Sequence, residues 1–454
     1  MYIKQIYTSC LAQASYYIES NNEAIIIDPI RDFEPYMELL QDRNATLKYI
    51  FETHFHADFV SGHLELAKLT NAEIVFGPNA TTTYQCIIAS NGQEFSLGDL
   101  IFKVLHTPGH TMESTCYLLL SNQNKEEAVF TGDTLFIGEV GRPDLAVNPK
   151  LTRQDLAGHL YDSLHNVLMN LPDHTIVYPA HGAGSACGKN ISSDRQSTIG
   201  KQKQYNYALQ KMTKKEFVSI VLDGISDAPD YFSHDVKMNR EGYRTVVTVL
   251  EKSLQKLDAK DLIAKLKGGA IILDVRMPND FEKGFIPGSI NIGKTGMFAP
   301  WVGALIPHNI ELIIVCAIDE EREIISRLAR IGYEKVVGYL HLDSKEKDLF
   351  NNISFDIVKS INPSEIDEYK NNNFKILDVR KIPELELGFV DDSVHIPLSQ
   401  LHLNLSKLNN NDKYLVYCAG GYRSMIACSI LKSKGYQNVI NIYGGFTAIM
   451  QNAY

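Results

Sequence analysis

The string Ile-Leu-Asp-Val-Arg occurs twice in this chain of 454 residues, at 272–276 and at 376–380, so the two copies lie 104 residues apart. Each is an apolar run that ends on the same charged tripeptide. Further on, IIVC ending at Cys316 matches LVYC ending at Cys418, and IGYEKVVGYLHL at 331–342 matches KGYQNVINIYGG at 434–445. These offsets are 102 and 103, far beyond the roughly 20–50 residues of a solenoid repeat, so the period marks a duplicated domain. Two small α/β domains therefore fill the second half, and the length allows roughly three domains in all. Hydrophobic residues make up 44% and charged residues 22%, enough to fill several cores. A formal charge of -10 argues against a nucleic-acid partner, which needs clustered Lys and Arg. No apolar run approaches the roughly 18 residues of a membrane span, and a cytoplasmic homo-oligomer is expected. The seven cysteines contain no C-x-x-C, so neither a disulfide framework nor a structural zinc site is expected from their spacing.

Through about residue 190, short apolar runs stop abruptly at Gly, Pro or His, as in AIIIDP, LKYIFETH, FKVLHTPGH, AVFTGD and TIVYPAHG. They read as buried strands whose C-terminal ends open into polar loops. Between them, residues 155–171 repeat Leu at helical spacing. The block is α/β, with a helical, polar extension to about 250. Chemistry concentrates at the strand ends. His54, His56 and Asp58 alternate along one short segment, and an extended backbone would point all three the same way. His110, Asp133 and His181 each tip a further run. His106, His159, His165 and His174 lack such company and read as ordinary histidines.

These residues resemble the T-H-x-H-x-D-H signature and downstream ligands of the metallo-β-lactamase superfamily over about the first 190 residues, which implies an αββα sandwich in a domain of residues 1–250 that includes the helical extension. The dinuclear hydrolases of that superfamily, such as glyoxalase II, carry histidine after the aspartate; this chain has Phe59. The resemblance narrows to the persulfide dioxygenases, with one Fe(II) per chain on His54, His110 and Asp133, a facial triad that leaves positions open for O₂ and substrate. It further implies that His56, Asp58 and His181 orient those ligands or move protons. GEVGRPDL at 138–145 is similar to the segment that contacts the anionic substrate, a role carried to Arg142. Cys187 sits in a small-residue loop soon after His181 and is a possible accessory thiol.

Cys418-Ala-Gly-Gly-Tyr-Arg-Ser424 lies between an apolar strand and a helix that should stop at Gly435. Its glycines let backbone N–H groups turn inward, and the helix start and Arg423 add positive potential, favouring a thiolate. The motif resembles the active loop of rhodanese-type sulfurtransferases over residues 357–454. That implies Cys418 and Arg423 as catalytic groups and Gly420, Gly421 and Ser424 as substrate-binding ones. The middle copy, 258–350, resembles the same fold but carries Asp319, Glu320 and Glu321 where the loop needs glycine, so it reads as degenerate. Aligned without a gap from the following helix, Cys316 falls opposite Ala419 and Glu320 opposite Arg423. The fusion implies a thiol persulfide, O₂ and sulfite or thiosulfate as partners. The alternative is a glyoxalase II-like zinc thioester hydrolase fused to a rhodanese sulfur carrier.

Overall fold

The computed structural model describes residues 1–147, 149–225, 228–342 and 353–452; the expected end of the middle domain at 350 and the last two residues lie outside them. The chain divides into two units, Met1–Thr248 with Leu328–Gly332, and Val249–Arg327 with Tyr333–Tyr454. Both repeat copies thus fall in the second unit, apart from Leu328–Gly332 of the middle one.

The first unit is built on two six-stranded sheets. One runs from Tyr2–Thr8 through Gln13–Ser20, Glu23–Ile27, Thr46–Phe51 and Glu73–Phe76 to Ile87–Ile88; the other holds Glu94–Leu97, Leu100–His106, Thr115–Leu120, Glu126–Gly132, Ile176–Pro179 and Ser197–Thr198. Alternation along the strands sorts the side chains. Phe102, Val104, Tyr117, Leu119 and Phe130 meet Tyr16, Ile18, Ile25, Ile27 and Phe51 between the sheets, and the Phe51 and Tyr117 rings stack with centroids 4.4 Å apart. Each such ring or branched chain stabilises the sandwich by about 1.5–3 kcal/mol through its burial. The intervening residues, Cys116, Leu118 and Val129, face outward onto Leu160 and Leu164 of the helix Arg153–Asn166. A helix at His63–Thr70 packs on Thr46–Phe51 and Glu73–Phe76 of the first sheet. The result is a helix–sheet–sheet–helix sandwich.

In the second unit each copy is a parallel sheet. The middle copy orders its strands as Ile290–Asn291, Ile271–Asp274, Leu312–Cys316 and Val336–His341. The last copy has Lys359–Ile361, Val439–Ile442, Lys413–Tyr417, Phe374–Asp378 and Val394–His395. The repeat is exact in its charged core. Arg276 grips Asp274 with two nitrogens and reaches the carbonyl of Gly284; Arg380 grips Asp378 and reaches the carbonyl of Gly388. A buried guanidinium is held only by such pairing, which is why Asp-Val-Arg recurs. Strand register corrects the loop alignment: Asp274 pairs with Val315 and Asp378 with Tyr417, so Cys316 stands opposite Cys418, not Ala419. The one-residue difference is absorbed between strand and helix. The copies also touch, Tyr422 donating to the carbonyl of Gly293 at 2.8 Å and the Asn291 N–H to Ser429 Oγ at 2.9 Å.

Candidate functional site

The strand Thr46–Phe51 ends before the histidine segment, and residues 52–58 are irregular rather than extended. The segment turns instead of alternating; the His54 and His56 rings still lie 4.3 Å apart, but His54, His56 and Asp58 each have their own buried partners. His54 joins His110 and Asp133; His56 joins Asp28 and Glu52; Asp58 joins His181 and Cys187.

In the first cluster, His54 Nε2 lies 3.9 Å and His110 Nε2 3.4 Å from Asp133 Oδ2. Hydrogen bonds on the far side of each ring fix which nitrogen faces inward. His54 Nδ1 meets Thr53 Oγ1 at 3.0 Å, and that hydroxyl donates to Asp28 Oδ2 at 2.8 Å. His110 Nδ1 donates to the Arg142 carbonyl at 2.8 Å, and His181 Nδ1 to the Ala12 carbonyl at 3.2 Å. All three imidazoles thus present Nε2, the arrangement in which an outer partner orients a metal ligand. Burial, with the neighbouring imidazoles, holds His54 well below its ordinary pKa, so it is neutral and has a lone pair to give. Gly141 is required here: a Cβ on it would sit 1.9 Å from the Asp133 carbonyl oxygen and 3.1 Å from His110 Nδ1.

The donor set fits a metal. Both carboxylate oxygens of Asp133 are buried without a hydrogen-bond donor, as are Asp58 Oδ1 and His181 Nε2. A carboxylate so placed costs several kcal/mol unless a cation compensates it. Two imidazoles and one carboxylate suit Fe(II) or Zn(II).

Around it the expected residues take unequal places. Burial opposes charge on His56, but Asp28 at 3.1 Å and Glu52 at 3.4 Å raise its pKa well above 6.5. Phe59 is fully buried and stacks on that ring at 4.2 Å. His181 Nε2 lies 3.5 Å from Asp58 Oδ2 and 3.6 Å from Asp133 Oδ1, bringing the third cluster against the first. Cys187, fully buried, belongs to that third cluster; burial and the carboxylates of Asp58 and Asp133 push its thiol well up. The guanidinium of Arg142 is committed to Asp144, at 2.6 and 2.7 Å, so the substrate-anion role expected of it has no free charge behind it in this geometry. Its visible contribution is the carbonyl that holds His110.

The thiol loop opens from the strand Lys413–Tyr417 and runs into the helix Tyr422–Ser433. Cys418 is buried; the Gly421 N–H donates to its Sγ at 3.1 Å, and Ser424 Oγ lies 3.6 Å away. Gly421 caps the helix at a φ of +97°. Arg423 lies within hydrogen-bonding reach of Cys418 but also makes a two-nitrogen pair with Glu384, which holds the Glu384 carboxyl below its ordinary pKa. Ser424 donates to Asn441 Oδ1 at 2.7 Å, while Gly420 is exposed at the mouth of the loop. Sequence reasoning missed Asp28, Glu52, Glu384, Asn441 and Gly445. Gly445, at φ +57°, is the clearest: a Cβ there would lie 2.3 Å from the Cys418 carbonyl, which the Phe446 N–H caps at 2.6 Å. The Tyr-Gly-Gly run was the available signal. Elsewhere Cys116 and Cys428 are buried and Cys10 and Cys86 half-buried; all seven cysteines are free.

The Metallo-beta-lactamase superfamily model matches residues 8–82, and the Rhodanese-like domain model matches residues 258–343 and 362–452. A hydroxyacylglutathione hydrolase of Tolumonas auensis is 38% identical over 168 residues, 36% of this chain and 59% of that protein; the chain spans less than two thirds of that relative's length. A probable polyketide biosynthesis zinc-dependent hydrolase, PksB, of Bacillus subtilis is 30% identical over 186 residues, 39% of this chain and 76% of that protein. A solved metallo-beta-lactamase from Staphylococcus aureus subsp. aureus COL superposes with a TM-score of 0.66 at 28% identity, covering 75% of this chain and 98% of its own. The sandwich, the strand-end ligands and these matches agree: the chain belongs to the metallo-beta-lactamase superfamily and carries two rhodanese-like domains behind that fold.

Proposed function

We propose that this chain couples a mononuclear iron persulfide dioxygenase to a rhodanese-type sulfurtransferase that acts in sulfide detoxification. The reading rests on one observation: His54, His110 and Asp133 converge as two imidazoles and a carboxylate, while His56 is turned onto Asp28 and Glu52, and Phe59 supplies no ligand. His54, His110 and Asp133 would hold Fe(II), which when bound would supply the redox chemistry that activates O₂ toward a persulfide. The chain's own groups do the rest. Thr53 and the Arg142 carbonyl keep the imidazoles oriented, and His181 Nε2, between Asp58 and Asp133, is the atom placed to exchange protons with water. The balanced reaction is RSSH + O₂ + H₂O → RSH + SO₃²⁻ + 2H⁺, in which the outer sulfur is oxidised and O₂ is reduced.

At the second centre, sulfite attacks the outer sulfur of a persulfide carried on Cys418. The carrier S–S bond breaks as that of thiosulfate forms, and Cys418 leaves as a thiolate received by the Gly421 N–H. Cys418→Ser should therefore consume O₂ on a thiol persulfide at the normal rate while sulfite accumulates in place of thiosulfate. Unchanged thiosulfate output from that variant sinks the coupled scheme.

A second reading has its own support. Asp58, His181 and Cys187 also lie close enough to share a cation beside Asp133, and the relatives named above are hydrolases, one of them zinc-dependent. On that reading the first unit is a dinuclear zinc thioester hydrolase. Metal analysis decides: about two zinc per first unit with thioester turnover and no O₂ uptake selects the hydrolase, and about one iron with O₂ uptake selects the dioxygenase.

A further inference from the structure

The strand register that equates Cys316 with Cys418 also shows that the two positions have opposite electrostatics. Around Cys418 stand a backbone N–H and an arginine. Around Cys316 stand Glu321, which opens the helix Glu321–Ala329, and His341, which ends the neighbouring strand Val336–His341. Cys316 and His341 are direct partners in the parallel ladder, so their side chains leave the same face of the sheet. His341 Nε2 lies 3.2 Å from Glu321 Oε2, and one ligand atom from each of the three residues falls within 4.8 Å of the others. Cys316 and His341 are buried, while the Glu321 side chain is 18% exposed and gives an entry side.

The geometry points to a cation site in the middle copy, at which Cys316, Glu321 and His341 hold a borderline-soft divalent ion of the zinc type. Thiolate, imidazole and carboxylate are the three donor classes such an ion takes, and three protein ligands leave a fourth position for water. Ligand atoms around a tetrahedral zinc are about 3.3–3.6 Å apart, so the cluster closes by small side-chain movements. Burial and the carboxylates of Glu321 and Glu320 push the Cys316 thiol up to about 12, so without a cation the group is an inert thiol in a negative pocket. Lys294 pairs with Glu320 and offsets only part of that negative field at Cys316. A dication reverses the balance, because a coordinated thiol is deprotonated outright. Duplication thus has given one strand-end cysteine an anion cradle and the other a cation cage.

The test is cobalt titration of the metal-free, full-length chain, read by the thiolate-to-cobalt charge-transfer band in the near ultraviolet. Among the described residues Cys187, in the first unit, is the other thiol beside candidate ligands, so its variant is the control. The expected result is a band that persists in Cys187→Ser, disappears in Cys316→Ser, and needs at least about tenfold more cobalt in His341→Gln and Glu321→Gln. Glu321 is partly exposed, so Glu321→Gln retains the fold, checked by circular dichroism, and carries the test if the buried substitutions do not. Absence of any thiolate band, a band that survives Cys316→Ser and vanishes in Cys187→Ser, or unchanged cobalt affinity in Glu321→Gln overturns the assignment.

Discussion

At the scale of single residues, Phe59 and Glu384 decide the most. Phe59 fills with an apolar ring the space beside His56, so this position offers a cation nothing. In the Cys316→Ser background, which removes the proposed cation site of the middle copy, Phe59→His puts an imidazole there and should raise the metal content from about one toward about two per chain, at some cost in stability from the lost ring; plasma emission analysis reads it, and a count that stays at one removes Phe59 as the determinant. Glu384 governs how much of Arg423's charge the thiol loop feels. The pair holds the Glu384 carboxyl below its ordinary 4.5, so the folded chain binds that proton more weakly than the unfolded chain. The pair's stability is fully present above 4.5 and is lost as pH falls through the depressed value. Glu384→Gln should flatten that acid limb in denaturant titrations of the second unit; a limb of undiminished slope would count against the pair. Phe59 is visible in the sequence as the missing histidine, whereas nothing there marks Glu384 as Arg423's partner across 39 residues.

At the scale of elements, the strand end and the loop that follows it carry the chemistry in every domain. The reason is shared. Parallel neighbours align their C-terminal edges within each sheet, and side chains beyond Phe51 of the first sheet meet those beyond Gly132 and Pro179 of the second, as Cys418 stands beyond Tyr417 in its own sheet. The Cys418 loop is also shaped from outside by the Gly444–Gly445 turn. Gly445→Ala places a methyl 2.3 Å from the Cys418 carbonyl at a positive φ, a strain of about 1–3 kcal/mol. It should lower the melting temperature of the second unit and abolish thiosulfate exchange while O₂ uptake stays intact. Loss of both activities together would mean that the glycine acts on the whole chain and not on the loop. The strands and the two repeats were legible because burial fixes apolar runs and because Asp-Val-Arg is a buried pair; the irregular path of residues 52–58 was not, because alternation holds only while the backbone stays extended.

At the scale of the whole molecule, two units with separate cores should unfold separately. In the first, Asp133 and Asp58 are buried with oxygens that only a cation or proton can answer. A metal that binds the folded state alone stabilises it by RT ln(1 + [L]/Kd), about 4 kcal/mol at a thousandfold excess over Kd. Chelation in the Cys316→Ser background should therefore lower the first calorimetric transition by several degrees and leave the second in place. A first transition that ignores the chelator would show that the strand-end ligands are satisfied without metal. No helix among the described residues is long and apolar enough to cross a membrane.

The sequence by itself determined the number and class of the domains, the duplication, and which residues stand at strand ends, because each of these follows from local pattern: apolar runs, their breakers and a repeated charged pair. Only the tertiary structure decided which of those residues meet. His54, His56 and Asp58 are two residues apart yet enter three clusters, whereas Cys316 and His341, 25 residues apart, become neighbours through a strand register. Which donors share a site depends on long-range pairing and on where the backbone leaves the extended state, and neither is written in the spacing of residues along the chain.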